Sequence, residues 1–224
     1  MKLLVIDAAA NLCAACVWDI ADARALGAVT RDIGKGHAEQ LMEVIAEALE
    51  ASGCSYGDLS RVGVTVGPGS FTGVRVAVAA ARGLALALAV PAVGVTTLEA
   101  LGAEARAGFP GQPITVAIDA RRDEVYAATY DAAGNERTPP HVTTIGDVAR
   151  DLKPGTILAG SAVNLVADMA GHNASLIGPA GATAAIEVIA RLAAEKETSP
   201  TKPKPLYLRA PDAKPQSGFA VARQ

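Results

Sequence analysis

The chain has 224 residues, half of them hydrophobic and 19% charged, with a formal net charge of −3; this composition excludes a disordered chain and leaves room for two lobes of about 100 residues, each with its own core. A protein that grips nucleic acid alone carries a basic face and stacks bases on aromatic rings, so 4% aromatics and a negative balance argue against autonomous RNA binding. The three cysteines are too few for a disulfide framework, and His37, His141 and His172 are too scattered to form a clustered metal site.

The opening residues run from Met1 and Lys2 into an apolar stretch at 3–6 that stops at Asp7, which does not spell a secretory signal. The longest apolar stretch, 76–90, is interrupted by Arg82 and Gly83 and is too short to span a bilayer. The expected location is the cytoplasm, away from membranes. Strand-like runs follow at 3–7, 12–18 and 25–31. Cys13 and Cys16 fall on the second of these, and residues three apart on a strand point to opposite faces. Buried small residues are therefore favoured over a redox pair.

A helix is predicted over His37–Ser52, with Ala38, Leu41, Met42, Ile45, Ala48 and Leu49 at helical spacing. Glu39, Glu43, Glu47 and Glu50 gather on its other face, with no cation on the helix to relieve them. A strand at 61–66 leads into a tight loop at 67–70. Ser70 or Thr72 then caps a long helix reaching residue 89. One face of that helix, at Gly73, Ala77, Ala80 and Leu84, is small enough to lie on a sheet. The other carries Arg75, Ala79, Arg82 and Leu86, apolar side chains framed by two cations, which is how an interface core is built. A strand at 91–95 and a helix at 97–106 close this half.

The pattern then restarts. Residues 107–113 are linker-like, strands are predicted at 114–119 and 124–130, and Thr138, Pro139 and Pro140 are expected to break the chain before a helix at 145–152. A strand at 157–159, helices at 162–170 and 183–197, and a proline-rich tail over the surface complete it. The expected division is 1–108 and 109–224. Shifting the sequence by about half its length sets Val5, Ile6, Asp7 and Ala8 over Ala117, Ile118, Asp119 and Ala120. It also sets Trp18 and Asp19 over Tyr130 and Asp131. A strand ending in Asp and turning into a second strand, once per half, is the layout of actin-like folds, where paired hairpins hold a phosphate between lobes. A helix-linked α/β sheet without duplication is the alternative.

The most informative segment joins the strand at 61–66 to the helix after it: Gly67, Pro68, Gly69, Ser70, Phe71, Thr72, Gly73, Val74 and Arg75. Glycines there let backbone amides approach an anion at a helix N-terminus. No lysine follows as in a P-loop, and the spacing is not that of a dinucleotide fingerprint. The residues alone leave tight packing of the turn and phosphate binding equally open.

This segment closely resembles the GPGSFTGLR signature of the TsaB (YeaZ) family. Residues 37–41 resemble the family's HSERL, 94–101 its GVSSLEAL, 119–126 its DARRGEVY and 205–211 its C-terminal PxYLRxP, all in the family's order. The resemblance implies a duplicated actin-like (ASKHA, ribonuclease H-like) α/β fold, with two lobes of mixed sheets flanked by helices. It implies a non-catalytic subunit of the machinery that makes N6-threonylcarbamoyladenosine at position 37 of ANN-decoding tRNAs. The partners would be a TsaD-like transferase and a TsaE-like ATPase, with tRNA reached only through the complex. The N-terminal lobe would bind the partner through Glu39, Glu43, Glu47, Arg75, Ala79, Arg82 and Leu86, or through a homodimer when the partner is absent.

TsaD-like transferases carry an H-x-x-x-H metal pair, and the matching positions here are Thr97 and Leu101; leucine cannot bind a metal. Family members follow the first hairpin Asp with hydroxyl residues, whereas Asp7 is followed here by Ala8, Ala9 and Ala10, which offer no side-chain donor. Asp7, Gly67, Gly69, Ser70, Thr72 and Asp119 are thus expected to be remnants of a phosphate site. No cofactor is expected on this chain alone; ATP or ADP and a metal would belong to the partner subunits. The alternatives are an autonomous ATPase or phosphotransferase of the same fold and a glycoprotease-type metallopeptidase.

Overall fold

The computed structural model describes residues 1–171, 176–199 and 201–209; His172 and the tail beyond residue 209 lie outside them. The first half runs β1 (Lys2–Asp7), β2 (Leu12–Asp19), β3 (Arg24–Asp32), α1 (His37–Ser52), β4 (Leu59–Thr65), α2 (Phe71–Ala87), β5 (Ala92–Val95) and α3 (Thr97–Gly108). The second runs β6 (Ile114–Arg121), β7 (Glu124–Tyr130), β8 (Glu136–Thr144), α4 (Ile145–Asp151), β9 (Ile157–Ala159), α5 (Val163–Ala170), β10 (Leu176–Ile177) and α6 (Ile186–Glu195). Each half therefore reads βββαβαβα. Each also builds a five-stranded mixed sheet of the same order, β3-β2-β1-β4-β5 and β8-β7-β6-β9-β10. The first three strands pair antiparallel, and the last two join in parallel across helical crossovers. The undivided sheet is excluded.

Strand periodicity explains the layering. Leu4 and Ile6 of β1, with Cys13, Ala15 and Val17 of β2, enter one apolar cluster with α1 and α2. Leu3, Val5, Ala14, Cys16 and Trp18 enter another on the opposite face. Cys13 and Cys16 thus point away from each other, and burial pushes the Cys16 thiol up to about 12. The second sheet divides likewise: Ile114, Val116 and Ile118 face the central cluster, while Ala117, Val125 and Leu158 face α4 and α5. The molecule is stacked as α1/α2, first sheet, α3/α6, second sheet, α4/α5.

The central layer is exchanged between halves. Helix α3 packs on the second sheet, and α6 packs on the first. Glu104 of α3 accepts the Ala185 N–H at 2.8 Å, placing a carboxylate at the start of α6. At the far end of α6, Arg61 of β4 donates to the carbonyls of Ala193, Ala194 and Lys196 at 2.9–3.1 Å, and Lys196 pairs with Glu99 of α3 at 2.9 Å. Those contacts satisfy backbone groups that a helix end leaves open.

Three local expectations change. Pro139 and Pro140 do not break the chain; they lie inside β8, an edge strand whose pairing passes from Ala127–His141 to Thr129–Thr138 around them. A proline is tolerated there because an edge strand need not donate on both sides. In α1 the buried stripe is His37, Leu41, Val44, Ile45, Ala48 and Leu49, while Ala38 and Met42 are exposed. The described tail does more than cover surface: Pro203 is buried, and the Leu206 N–H bonds the Val66 carbonyl at 2.8 Å. Among the described residues, no helix is long and apolar enough to cross a membrane.

Candidate functional site

Two hairpins and the start of α2 make the first candidate region. In the β1–β2 hairpin, Asp7 is 1% exposed. Its carboxylate accepts the Ala9 N–H at 3.0 Å and the Thr183 hydroxyl at 2.7 Å. Burial pushes this carboxyl above its usual range, against the opposing pull of Thr183 and the Ala9 amide. In the β6–β7 hairpin, Asp119 repeats the turn, accepting the Arg121 N–H at 2.7 Å, while the Asp119 N–H bonds Ser161 at 3.0 Å. Asp119 is exposed. The equivalence extends to the strand ends: Asp19 binds the Ala21 N–H and Lys2, and Asp131 binds the Asn135 N–H and side chain.

The loop before α2 is where packing and anion binding were both open. A Cβ on Gly69 would lie 2.1 Å from the Ala9 carbonyl oxygen, and one on Gly73 would lie 2.0 Å from that of Ala8. The Ser70 N–H donates to the Ala9 carbonyl at 2.6 Å, and the Ser70 hydroxyl caps the Gly73 N–H at 3.2 Å. The glycines therefore let the first hairpin lie directly on the start of α2, and two of its open amides are satisfied from within the chain. Ser70 is the cap; Thr72 is exposed within the first turn. Gly67, with φ of 94°, turns the chain in a conformation that favours glycine.

Thr97 and Leu101 are fully buried on one face of α3, Leu101 within the central cluster. Both are packing residues here. Among the described residues, no group of three or more His, Cys, Asp or Glu side chains could hold a metal ion.

The second candidate region is the outer layer. Leu86 is 72% exposed, and Arg75, Ala79 and Arg82 are exposed along the same face of α2. A groove of about 580 Å³ opens beside Leu86 and Arg82, with Pro91, Ser199 and Lys202 on its other wall. Arg75 is engaged as well as exposed. Its guanidinium lies 3.6 Å from the Phe71 ring centroid, and its Nε donates to the Tyr207 hydroxyl at 2.6 Å. Glu39 is exposed on α1. The glutamates at Glu43 and Glu47 do find a cation: Arg31 of β3 pairs with them at 3.0 and 2.5 Å. That relief comes from another element, where a reading confined to helix spacing could not see it.

A duplicated βββαβαβα chain with paired Asp hairpins at its two sheets is an actin-like protein. A family model described as TsaD: tRNA N6-adenosine threonylcarbamoyltransferase matches residues 20–197. The tRNA threonylcarbamoyladenosine biosynthesis protein TsaB of Escherichia coli is 33% identical over 135 residues, 60% of this chain and 57% of that relative, little more than half its length. An uncharacterized protein of Mycobacterium tuberculosis is 36% identical over 95% of this chain and 94% of its own. YeaZ from Pseudomonas aeruginosa superposes with a TM-score of 0.74 at 26% identity, covering 86% of this chain and 91% of that one. The chain belongs to the family that this model describes, and TsaB of Escherichia coli and YeaZ of Pseudomonas aeruginosa are among the proteins it is similar to.

Proposed function

We propose that this chain is a non-catalytic subunit of the machinery that makes N6-threonylcarbamoyladenosine at position 37 of ANN-decoding tRNAs. It activates or scaffolds a TsaD-like transferase, with a TsaE-like ATPase as third component. The names of its TsaB relatives place them in the biosynthesis of that nucleoside, and membership in their family carries the pathway to this chain. The non-catalytic role rests on the first region. Asp7 is sealed, the start of α2 is occupied by the Ala8–Ala9 backbone, and the positions matching a transferase's metal pair lie in the core. In this reading ATP or ADP and a metal act on the partner subunits, and tRNA is met through the complex.

The single observation that carries the partner role is Leu86, a large apolar side chain left 72% exposed one turn beyond Arg82 on α2. Exposed leucines of this kind, rimmed by charge, mark the core of an interface. The partner surface is the outer layer of α1 and α2, with Glu39, Glu43, Glu47, Arg75, Ala79, Arg82 and Leu86; a second copy would use it when the transferase is absent. Leu86→Glu tests this. The variant should melt within a few degrees of the parent, because the side chain is already in water, yet lose the transferase in a pull-down and lose modification in the reconstituted system. Full-strength capture of the transferase by the variant, or tRNA modification by this chain alone, would overturn the reading.

A further inference from the structure

The described segment after α6 touches both halves of the molecule. Pro203 is buried against Gly94 of β5. The Leu206 N–H bonds the Val66 carbonyl at 2.8 Å, and Leu206 packs on the outer cluster of the first sheet. Tyr207 accepts from Arg75 and stacks near Phe71, with ring centroids 5.7 Å apart. Leu208 leaves that lobe and packs against the central cluster. Arg209 then forms an ion pair with Glu124, the first residue of β7 in the second hairpin. Within seven residues the chain passes from the first sheet, across the loop that begins α2, to the hairpin that carries Asp119.

We propose that residues 203–209 form a latch that ties the loop before α2 to the second hairpin, and so holds the two Asp-bearing hairpins at one separation. Among the described residues the lobes also meet at the α3/α6 layer, through side-chain packing, the Glu99–Lys196 ion pair and the hydrogen bonds made by Glu104, Arg61 and Thr183. Such a layer permits rotation of one lobe on the other when small shifts are absorbed at the helix ends. The latch removes that freedom by gripping both lobes away from the layer. Its two ends differ in kind. At Leu206–Tyr207 it holds by a backbone hydrogen bond and aromatic packing, and at Arg209 by charge. The charged end is therefore the releasable one, sensitive to salt and to any group that competes for Glu124.

This proposal does not depend on which partner binds α2, and its test needs no partner. Spin labels at Ala46→Cys on α1 and Ala133→Cys beyond β7, both exposed positions, report the lobe-to-lobe distance in a Cys54→Ser background of the full chain. The parent should give one narrow distance distribution. Arg209→Glu and Glu124→Arg should each add a second, longer population, and the double exchange should restore the narrow one. Unchanged distributions in both single variants would overturn the latch, and so would a double exchange that fails to restore the parent's. Global unfolding is distinguished by following the far-ultraviolet dichroism of each variant.

Discussion

The two hairpins share a strand order and an aspartate that folds its carboxylate back onto the amide two residues on, yet the first aspartate is buried and the second is exposed. In the first, the three residues after Asp7 are alanines. The backbone of Ala8 and Ala9 fills the space above Gly69 and Gly73, and the carboxylate is 1% exposed. In the second, Arg121, Arg122 and Asp123 take left-handed backbone angles with φ of 63°, 58° and 60°, and Asp119 stays open. Duplication preserved the turn and not its surroundings. What a hairpin can bind is decided by what lies on its loop, and in the first half that is the start of α2.

The largest effect should come from breaking the seal. Gly73→Ala would force a methyl into a carbonyl oxygen that cannot move without shifting the hairpin. Overpacking of this kind costs about 3 kcal/mol at its upper end, which for a chain of this size is a melting temperature lower by roughly 6–12 °C. A Gly73→Ala protein that melts with the parent would mean that the hairpin and α2 are not packed as described. Next comes Asp7→Ala, which strands the Ala9 amide and the Thr183 hydroxyl in a buried site and should cost about 1–3 kcal/mol. Asp119→Ala, at an exposed position, should stay within about 0.5 kcal/mol. Equal losses at the two aspartates would erase the distinction between sealed and open hairpins.

The same contrast has a pH signature. Burial raises the Asp7 carboxyl above its usual range, so the folded state holds that proton more tightly than the unfolded chain does. Its contribution is fully present below the ordinary carboxylate range and is lost as pH rises through the raised value. Asp7→Asn keeps an acceptor for Ala9 and removes the titration. The stability of this variant relative to the parent should therefore climb with pH across that window and then level off. Parallel denaturation midpoints from pH 3 upward would show that Asp7 carries no such shift.

Much of this was legible from residue patterns. The sixteen residues of α1 follow from helical spacing, the duplication follows from the repeated Ile-Asp-Ala and the aromatic-Asp pairs, and the outward stripe of α2 follows from its arginines. The structure adds what depends on distant contacts. Arg31 reaches Glu43 and Glu47 across the sheet edge, α3 and α6 change sheets, and Pro139 with Pro140 sits in a strand because only one side of β8 is paired. The role of the glycines at 69 and 73 was undecidable in one dimension, since close packing and anion binding require the same residue. Only the position of the Ala8–Ala9 backbone separates them.

The smallest effect sharpens the comparison from the other side. The family pattern matched by residues 119–126 has glycine where this chain has Asp123, and Asp123 sits at φ of 60°. A left-handed conformation costs an L-residue roughly 1–2 kcal/mol, less for Asp because its short side chain can bond locally. Glycine removes that cost but gives up part of the gain to the freer unfolded chain. The Asp123 carbonyl accepts from the Ile145 amide, a backbone contact that the substitution leaves in place. Asp123→Gly should therefore stabilise the protein by about 0.5 kcal/mol, read as a small rise in the denaturant midpoint at constant slope. The first hairpin has no counterpart to this gain, because none of its loop residues 8–11 lies in the left-handed region. A loss of stability in Asp123→Gly would mean that the carboxylate at 123 holds the turn through its own contacts, and that the second hairpin is maintained by side chains and not, like the first, by backbone.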